Sequence, residues 1–148
     1  MKTAYVMLGA PGSGKSTLAN IVVEEKNCDY ICYDLIRKEL WGDGSVQGPW
    51  PEINKKIKEK LSLAKGDVVV DGCHALSSHR KEIAKELRDF GYGYIVGVYV
   101  NTPLEVCLEQ NSKRDRKVPE DVVKRFWNTL DQNLNILGNE FDALKVEG

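Results

Sequence analysis

Residues Gly9 to Ser16 read GAPGSGKS, and this stretch decides the fold. It matches the pattern G-x-x-x-x-G-K-[ST]. The apolar run Ala4–Leu8 precedes it, and Leu18, Ile21 and Val22 follow at helical spacing. This order of strand, glycine-rich loop and helix predicts a loop that binds the phosphates of a nucleotide.

The chemistry of this loop follows from its residue types. Glycines let successive backbone N–H groups turn inward toward phosphate oxygens, and the positive end of the next helix dipole points at the same charge. Lys15 is expected to reach the β- and γ-phosphates of ATP or another nucleoside triphosphate, and the Ser16 hydroxyl to ligate Mg²⁺. The predicted nucleotide-binding residues in this segment are Gly9, Gly12, Ser13, Gly14, Lys15, Ser16 and Thr17.

Apolar runs alternate with helical patterns through the remainder of the 148 residues. Strands are predicted at Ala4–Leu8, Tyr30–Tyr33, Val68–Asp71, Tyr94–Val100 and Ala143–Val146. Repeated alternation of strand and helix predicts an α/β fold in three layers, with a central parallel sheet of about five strands and helices on both faces. We expect one domain over residues 1–148.

Local signals set the expected helix ends. Ser77 or Ser78 is assigned as one N-cap, and Thr102 as another, in a capping box with Glu105. A further helix is predicted after Pro119, with its apolar face running as far as Leu134.

An acidic and a basic residue follow the second strand at a spacing of three. The carboxyl ends of parallel strands face the ligand crevice, so Asp34 and Arg37 should point there. Asp34 can accept a proton from an acceptor hydroxyl, and Arg37 can hold a substrate phosphate in a bidentate manner. The alternative is an aspartate that caps the helix beside an arginine on the surface.

Asp71 ends the third strand, at the position of a Walker-B acid. Its expected work is to support Mg²⁺ from the second coordination sphere, or to orient Asp34, Arg37 or Ser16. An aspartate that merely starts the turn at Gly72 remains the alternative.

Residues 111–118, which read NSKRDRKV, hold four cations between two predicted helices. A helical lid over the nucleotide belongs in this place, with Arg114 and Arg116 directed at the donor phosphates. An arginine in such a lid can accelerate phosphoryl transfer about 10³–10⁵-fold. The alternative is a solvated run of charges.

These elements together resemble the kinase domain of bacteriophage-type polynucleotide 5′-kinases, within the small P-loop kinases. The resemblance rests on residues 9–17, Asp34-x-x-Arg37, residues 68–71 and 78–80, and the segment 111–119.

The resemblance implies transfer of the γ-phosphoryl group of ATP to a 5′-hydroxyl end of single-stranded DNA or RNA, as in the repair of broken ends. It makes Asp34 the general base and gives Arg37 the phosphate on the 3′ side of the terminal nucleoside. It also assigns Lys15 and Ser16 to the donor phosphates and Mg²⁺, Asp71 to acceptor support, and Arg114 to the donor phosphates. A D-x-D-x-[TV] phosphatase segment is not found in the sequence, so kinase activity alone is expected.

Composition narrows the range of partners. The formal net charge of −1 argues against a broad basic surface, although a narrow entrance for a strand end needs few phosphate contacts. Four scattered cysteines indicate reduced thiols, and the short first apolar run predicts neither a secretory signal nor a membrane span. We therefore expect a cytoplasmic protein, in a host cytoplasm if a phage encodes it, and the oligomeric state stays open.

Other functions remain possible from the sequence. The same chemistry can serve a modified base in DNA, a nucleoside or a small metabolite. A P-loop binding switch is a further alternative, although the base-reading pattern N-K-x-D of GTPases is missing. His74 and His79 are read as loop or packing residues, and Trp50 as a packing residue that can also stack on a base.

Overall fold

The computed structural model describes residues 1–44, 48–115 and 117–147. Its strands are β1 (Lys2–Leu8), β2 (Asp29–Cys32), β3 (Val68–Asp71), β4 (Tyr92–Val100) and β5 (Ala143–Glu147). Its helices are α1 (Lys15–Lys26), α2 (Tyr33–Trp41), α3 (Trp50–Leu63), α4 (Ser77–Asp89), α5 (Leu104–Ser112), α6 (Glu120–Gln132) and α7 (Leu134–Glu140).

The five strands form one parallel sheet in the order β2-β3-β1-β4-β5. Successive residues of a strand point to opposite faces, and both faces are apolar here. Val6 and Leu8 pack on the face that α3, α4 and α7 cover, whereas Met7 packs with Ala19 of α1 on the other face. The predicted three-layer α/β fold is therefore confirmed.

Both predicted N-caps differ from the structure. Helix α4 begins at Ser77 with Leu76 at the cap, and α5 begins at Leu104 with Pro103 at the cap. The hydroxyls have other partners, because Ser77 donates to Glu140 and Thr102 donates to the Ser13 carbonyl.

The helix after Pro119 is also shorter than predicted. The Asn133 amide donates to the Thr129 carbonyl at 2.6 Å and so competes with the backbone bond that would continue α6. The backbone N–H of Asn133 instead reaches the Leu130 carbonyl. Helix α7 starts afresh at Leu134, which is 38% exposed rather than inward.

A buried ion pair fastens α4 to α7. The Arg80 side chain is 0% exposed, and its Nε donates to Oε1 of Glu140 at 2.7 Å. One guanidinium nitrogen, Nη1, also donates to the backbone carbonyls of His74 and Ala75. Arg80 therefore holds the loop that follows β3, which lines the cleft described below.

All four cysteines are free thiols. Across the three described ranges, none of the helices combines the length and apolar character that a membrane crossing requires.

Candidate active site

The strand register brings the predicted site segments together. Asp71 of β3 pairs with Met7 of β1 on one side and with Cys32 of β2 on the other. The glycine-rich loop, the start of α2 and the loop after β3 therefore leave the sheet side by side. This is the edge at which open α/β sheets bind their ligands.

The glycine-rich loop has the backbone that its sequence predicts. Gly12 and Gly14 take φ values of 82° and 88°, in the left-handed region that favours glycine. Gly14 is the N-cap of α1 and provides no side-chain hydrogen bond, so the N–H groups of the first turn stay available to an anion. Thr102 fixes the loop from outside, since its hydroxyl donates to the Ser13 carbonyl at 2.6 Å.

The residues present fit a nucleotide phosphate and a magnesium ion. Within the described part of the chain, the buried Ser13 Oγ and Asp71 Oδ1 atoms have no hydrogen-bond partner. The Ser16 hydroxyl donates to Asp71 Oδ2 at 2.8 Å. A serine hydroxyl backed by a carboxylate is the arrangement by which phosphate-binding loops hold Mg²⁺.

Lys15 retains its charge in this setting. Burial by itself would lower the pKa of the ammonium group, but the neighbouring acidic groups of Cys73, Asp71 and Asp34 outweigh it and raise the pKa above its usual value. The charged form is the one that a phosphate contact requires.

Six predicted residues line one cleft of about 620 Å³, namely Lys15, Ser16, Asp34, Arg37, Asp71 and Arg114. The other predicted nucleotide-binding residues lie in the loop or in the first turn of α1, namely Gly9, Gly12, Ser13, Gly14 and Thr17. Arg116 lies outside the described residues.

Asp34 and Arg37 form an ion pair on the cleft wall. Arg37 Nη1 lies 3.0 Å from Asp34 Oδ1, and the two side chains are 16% and 41% exposed, respectively. Within the described ranges, the buried Arg37 Nε has no hydrogen-bond partner. The pair thus offers a carboxylate and an anchored cation to a ligand in the cleft.

The described residues of the segment 111–118, all except Arg116, lie beside the same cleft, and they are no longer helical after Ser112, the last residue of α5. Asn111 is buried, and its side chain both donates to the Val118 carbonyl and accepts from the Val118 N–H. These two bonds brace the loop that carries Arg114 and Lys117, whose side chains line the cleft. Lys113 points to Glu109 instead, at 3.0 Å.

The sequence pattern did not reveal the roles of two residues at this site, Tyr30 and Thr102. The Tyr30 hydroxyl donates to Asp71 Oδ2, beside the bond from Ser16. Tyr30 lies in a short apolar strand, and nothing in that pattern distinguishes it from a packing residue. Thr102 was predicted as a helix cap and instead secures the phosphate loop.

The two loop glycines give a matched test of the backbone. A Cβ at Gly12 would lie 2.2 Å from the Cys107 carbonyl oxygen, whereas a Cβ at Gly14 would have no atom within 4 Å. Gly14→Ala should cost about 1–2 kcal/mol for its left-handed backbone. Gly12→Ala should lower the free energy of unfolding by roughly 1–3 kcal/mol more, through overpacking.

Urea unfolding of both variants measures this difference. We expect the Gly12→Ala protein also to bind ATP more weakly than the Gly14→Ala protein, because its loop must shift away from Cys107. Equal losses of stability would contradict the close packing of Gly12 against α5.

Strand order, loop geometry and the acidic end of β3 together define a P-loop kinase fold. The chain belongs to the AAA domain family, whose profile matches residues 5–136. Among curated proteins, it is 29% identical over 133 residues to the L-seryl-tRNA(Sec) kinase of Methanococcus maripaludis, covering 85% of this chain and 51% of that one. The chain spans about half the length of the first curated relatives it matches.

Solved structures share the fold at lower identity. A chain in the structure of the Pnkp1/Rnl/Hen1 RNA repair complex superposes with a TM-score of 0.76 and 19% identity, covering 90% of this chain and 45% of that one. A gluconokinase from Sinorhizobium meliloti 1021 gives a TM-score of 0.64 and 22% identity, with coverage of 97% and 81%. At these identities the likeness establishes the fold alone.

Proposed function

We propose that this chain is a phosphotransferase that moves the γ-phosphoryl group of ATP to a hydroxyl acceptor, and that the acceptor is the 5′-hydroxyl end of a DNA or RNA strand. The observation that carries the proposal is the Asp34–Arg37 pair, which lines the same cleft as Lys15 and Ser16. A phosphate-binding loop alone is compatible with any nucleotide-binding protein, whereas a carboxylate beside it can accept a proton during phosphoryl transfer.

The donor half follows from the glycine-rich loop. Backbone N–H groups at the start of α1 and the Lys15 ammonium bind the phosphates of ATP. Mg²⁺ would be held by the Ser16 hydroxyl and would neutralise charge on the phosphate oxygens. Asp71 accepts from both Ser16 and Tyr30, which fixes the direction of the Ser16 oxygen.

The acceptor half follows from α2. The Asp34 carboxylate accepts the proton of the attacking hydroxyl, whose oxygen forms the new bond to the γ-phosphorus. The bond from that phosphorus to the β–γ bridging oxygen breaks, and ADP leaves with the electron pair. Arg37 holds the phosphate on the 3′ side of the terminal nucleoside, and Arg114 stabilises charge on the transferred group.

A second candidate keeps the chemistry and changes the acceptor to a nucleoside, a modified base in DNA or a small metabolite. It is favoured by a relative that is named for a small metabolite, the gluconokinase of Arabidopsis thaliana, which is 28% identical over 158 residues. Arg37 distinguishes the candidates in part, because a nucleoside or metabolite without a 3′ phosphate gives that guanidinium no phosphate to bind.

The test is transfer of labelled γ-phosphate from ATP, with Mg²⁺, to a panel of acceptors. The panel holds 5′-OH oligonucleotides of DNA and RNA, a nucleoside, a nucleoside 3′-monophosphate, gluconate and shikimate. We expect the wild-type enzyme to label the oligonucleotides and to use the nucleoside only weakly. In Arg37→Ala the KM for the oligonucleotides should rise, whereas the rate with the nucleoside should change little. Label on a metabolite alone would overturn the strand-end acceptor, and ATP binding without any transfer would favour a binding switch.

A further inference from the structure

The cleft wall next to the Asp34–Arg37 pair is aromatic. Trp50 at the start of α3 stacks on His79 of α4, with ring centroids 5.4 Å apart and planes inclined by 14°. Tyr33 of α2 meets Trp50 edge to face at 5.6 Å and 71°. All three side chains line the cleft, and His79 is the exposed outer member.

Hydrogen bonds hold these rings in place. Trp50 Nε1 donates to Glu82 at 3.2 Å, and the Tyr33 hydroxyl donates to His74 Nε2 at 2.8 Å. His74 Nδ1 in turn donates to the Met7 carbonyl at 2.6 Å, immediately before the last residue of β1. Burial lowers the pKa of His74 to about 4, so its ring stays neutral and Nε2 can accept.

This wall lies beside the residues that would hold an acceptor. Tyr33 and Arg37 are one helical turn apart on α2, so the ring that contacts Trp50 and the guanidinium share a side of that helix. A ligand with its hydroxyl at Asp34 and its phosphate at Arg37 therefore has the Trp50–His79 stack within the same cleft. A nucleotide carries those three groups: a hydroxyl, a phosphate and a flat ring.

We propose that the base of the acceptor's terminal nucleotide stacks on the Trp50–His79 pair, which makes this wall the element that selects nucleotide acceptors over aliphatic ones. The inference rests on the proposed function and deepens it. Stacking on protein aromatics tolerates every base, because each base has a π-face. The wall should therefore select for the presence of a base and show little preference among the four.

The experiment compares two 5′-OH oligonucleotides that differ only in the terminal nucleotide, one with its base and one with a tetrahydrofuran abasic sugar. The kcat/KM for each is measured with wild type, His79→Ala, His79→Phe and, as the control on the same helix, Lys81→Ala. Lys81 is exposed and lies outside the cleft wall. Thermal unfolding of each variant checks that it folds.

Wild type should use the oligonucleotide with the base about 5- to 150-fold better than the abasic one, the range expected for one stacked base. His79→Ala should lower kcat/KM for the oligonucleotide with the base and leave kcat/KM for the abasic one unchanged. Much of the preference for the base should therefore be lost. His79→Phe should keep the preference, and Lys81→Ala should match wild type.

Two results would overturn the stacking site while leaving strand-end transfer intact. One is equal use of both oligonucleotides by wild type, and the other is a His79→Ala defect of the same size on both. If ATP labels neither oligonucleotide, the proposed function fails and the stacking site falls with it.

Discussion

Asp34→Asn should lower kcat for phosphoryl transfer by about 10²–10⁴-fold, the usual contribution of a positioned general base. The amide keeps the size of the carboxylate and can still accept the bond from Arg37, but it cannot take the proton of the acceptor hydroxyl. The dissociation constant for ATP should stay near the wild-type value, because Asp34 serves the acceptor. Single-turnover transfer and equilibrium ATP binding measure the two quantities separately.

Glu39→Gln is the matched control for this prediction. Glu39 is an exposed carboxylate on the same helix, paired with Lys60 on the surface at 3.1 Å. An exposed pair contributes about 0–1 kcal/mol, so this variant should fold and keep its kcat. A kcat for Asp34→Asn close to that of Glu39→Gln would contradict the role of Asp34 as the general base.

Arg114→Ala should have the other large effect. Its side chain lines the cleft from the loop that Asn111 braces, where a guanidinium can meet charge that develops on the transferred phosphoryl group. A lid arginine of this kind is worth about 10³–10⁵ in kcat. Because the contact forms chiefly in the transition state, kcat should fall far more than the affinity for ATP.

Two further variants serve as controls for this prediction. Arg114→Lys retains the charge without the planar fork and should recover part of the lost rate. Lys124→Ala removes an exposed cation of α6 outside the cleft wall and should leave kcat unchanged. A loss of ATP affinity in Arg114→Ala that equals the loss in kcat would indicate ordinary binding in place of transition-state stabilisation.

The sequence was sufficient for the features that repeat a local pattern. GAPGSGKS between an apolar run and a helical pattern predicts the loop, and the valines of Val68–Asp71 predict a strand buried on both faces. Parallel strands then place Asp34 and Asp71 at one edge of the sheet, which is how the cleft residues could be named in advance. Their roles in transfer stay predictions.

Hydroxyl side chains that can either cap a helix or donate to a distant partner could not be assigned from the sequence. Thr102 followed by Pro103 has the composition of a helix cap, but only the fold brings the Ser13 carbonyl within 2.6 Å of its hydroxyl. Ser77 likewise finds Glu140, which lies 63 residues away. Long-range partners of this kind leave no trace in local spacing.

The residues of the aromatic wall could not be grouped from the sequence either. Tyr33, Trp50 and His79 come from three different helices, and no sequence period relates them. His74 takes φ = 50°, an uncommon backbone for a residue other than glycine, and this conformation accompanies its bonds to Met7 and Tyr33. The sequence pattern assigned both histidines to loop or packing roles, and both line the cleft, His74 as a buried residue and His79 as an exposed one beside Trp50.

The most direct test of the account is a crystal structure of the protein with Mg²⁺, a non-hydrolysable ATP analogue and a 5′-OH oligonucleotide. The measurement is the position of the 5′ oxygen. We expect this oxygen to lie about 3–3.5 Å from the γ-phosphorus and within hydrogen-bond distance of the Asp34 carboxylate, with the γ-phosphate on Lys15. A 5′ end bound away from Asp34, or a γ-phosphate turned away from the cleft that holds Asp34 and Arg37, would contradict it.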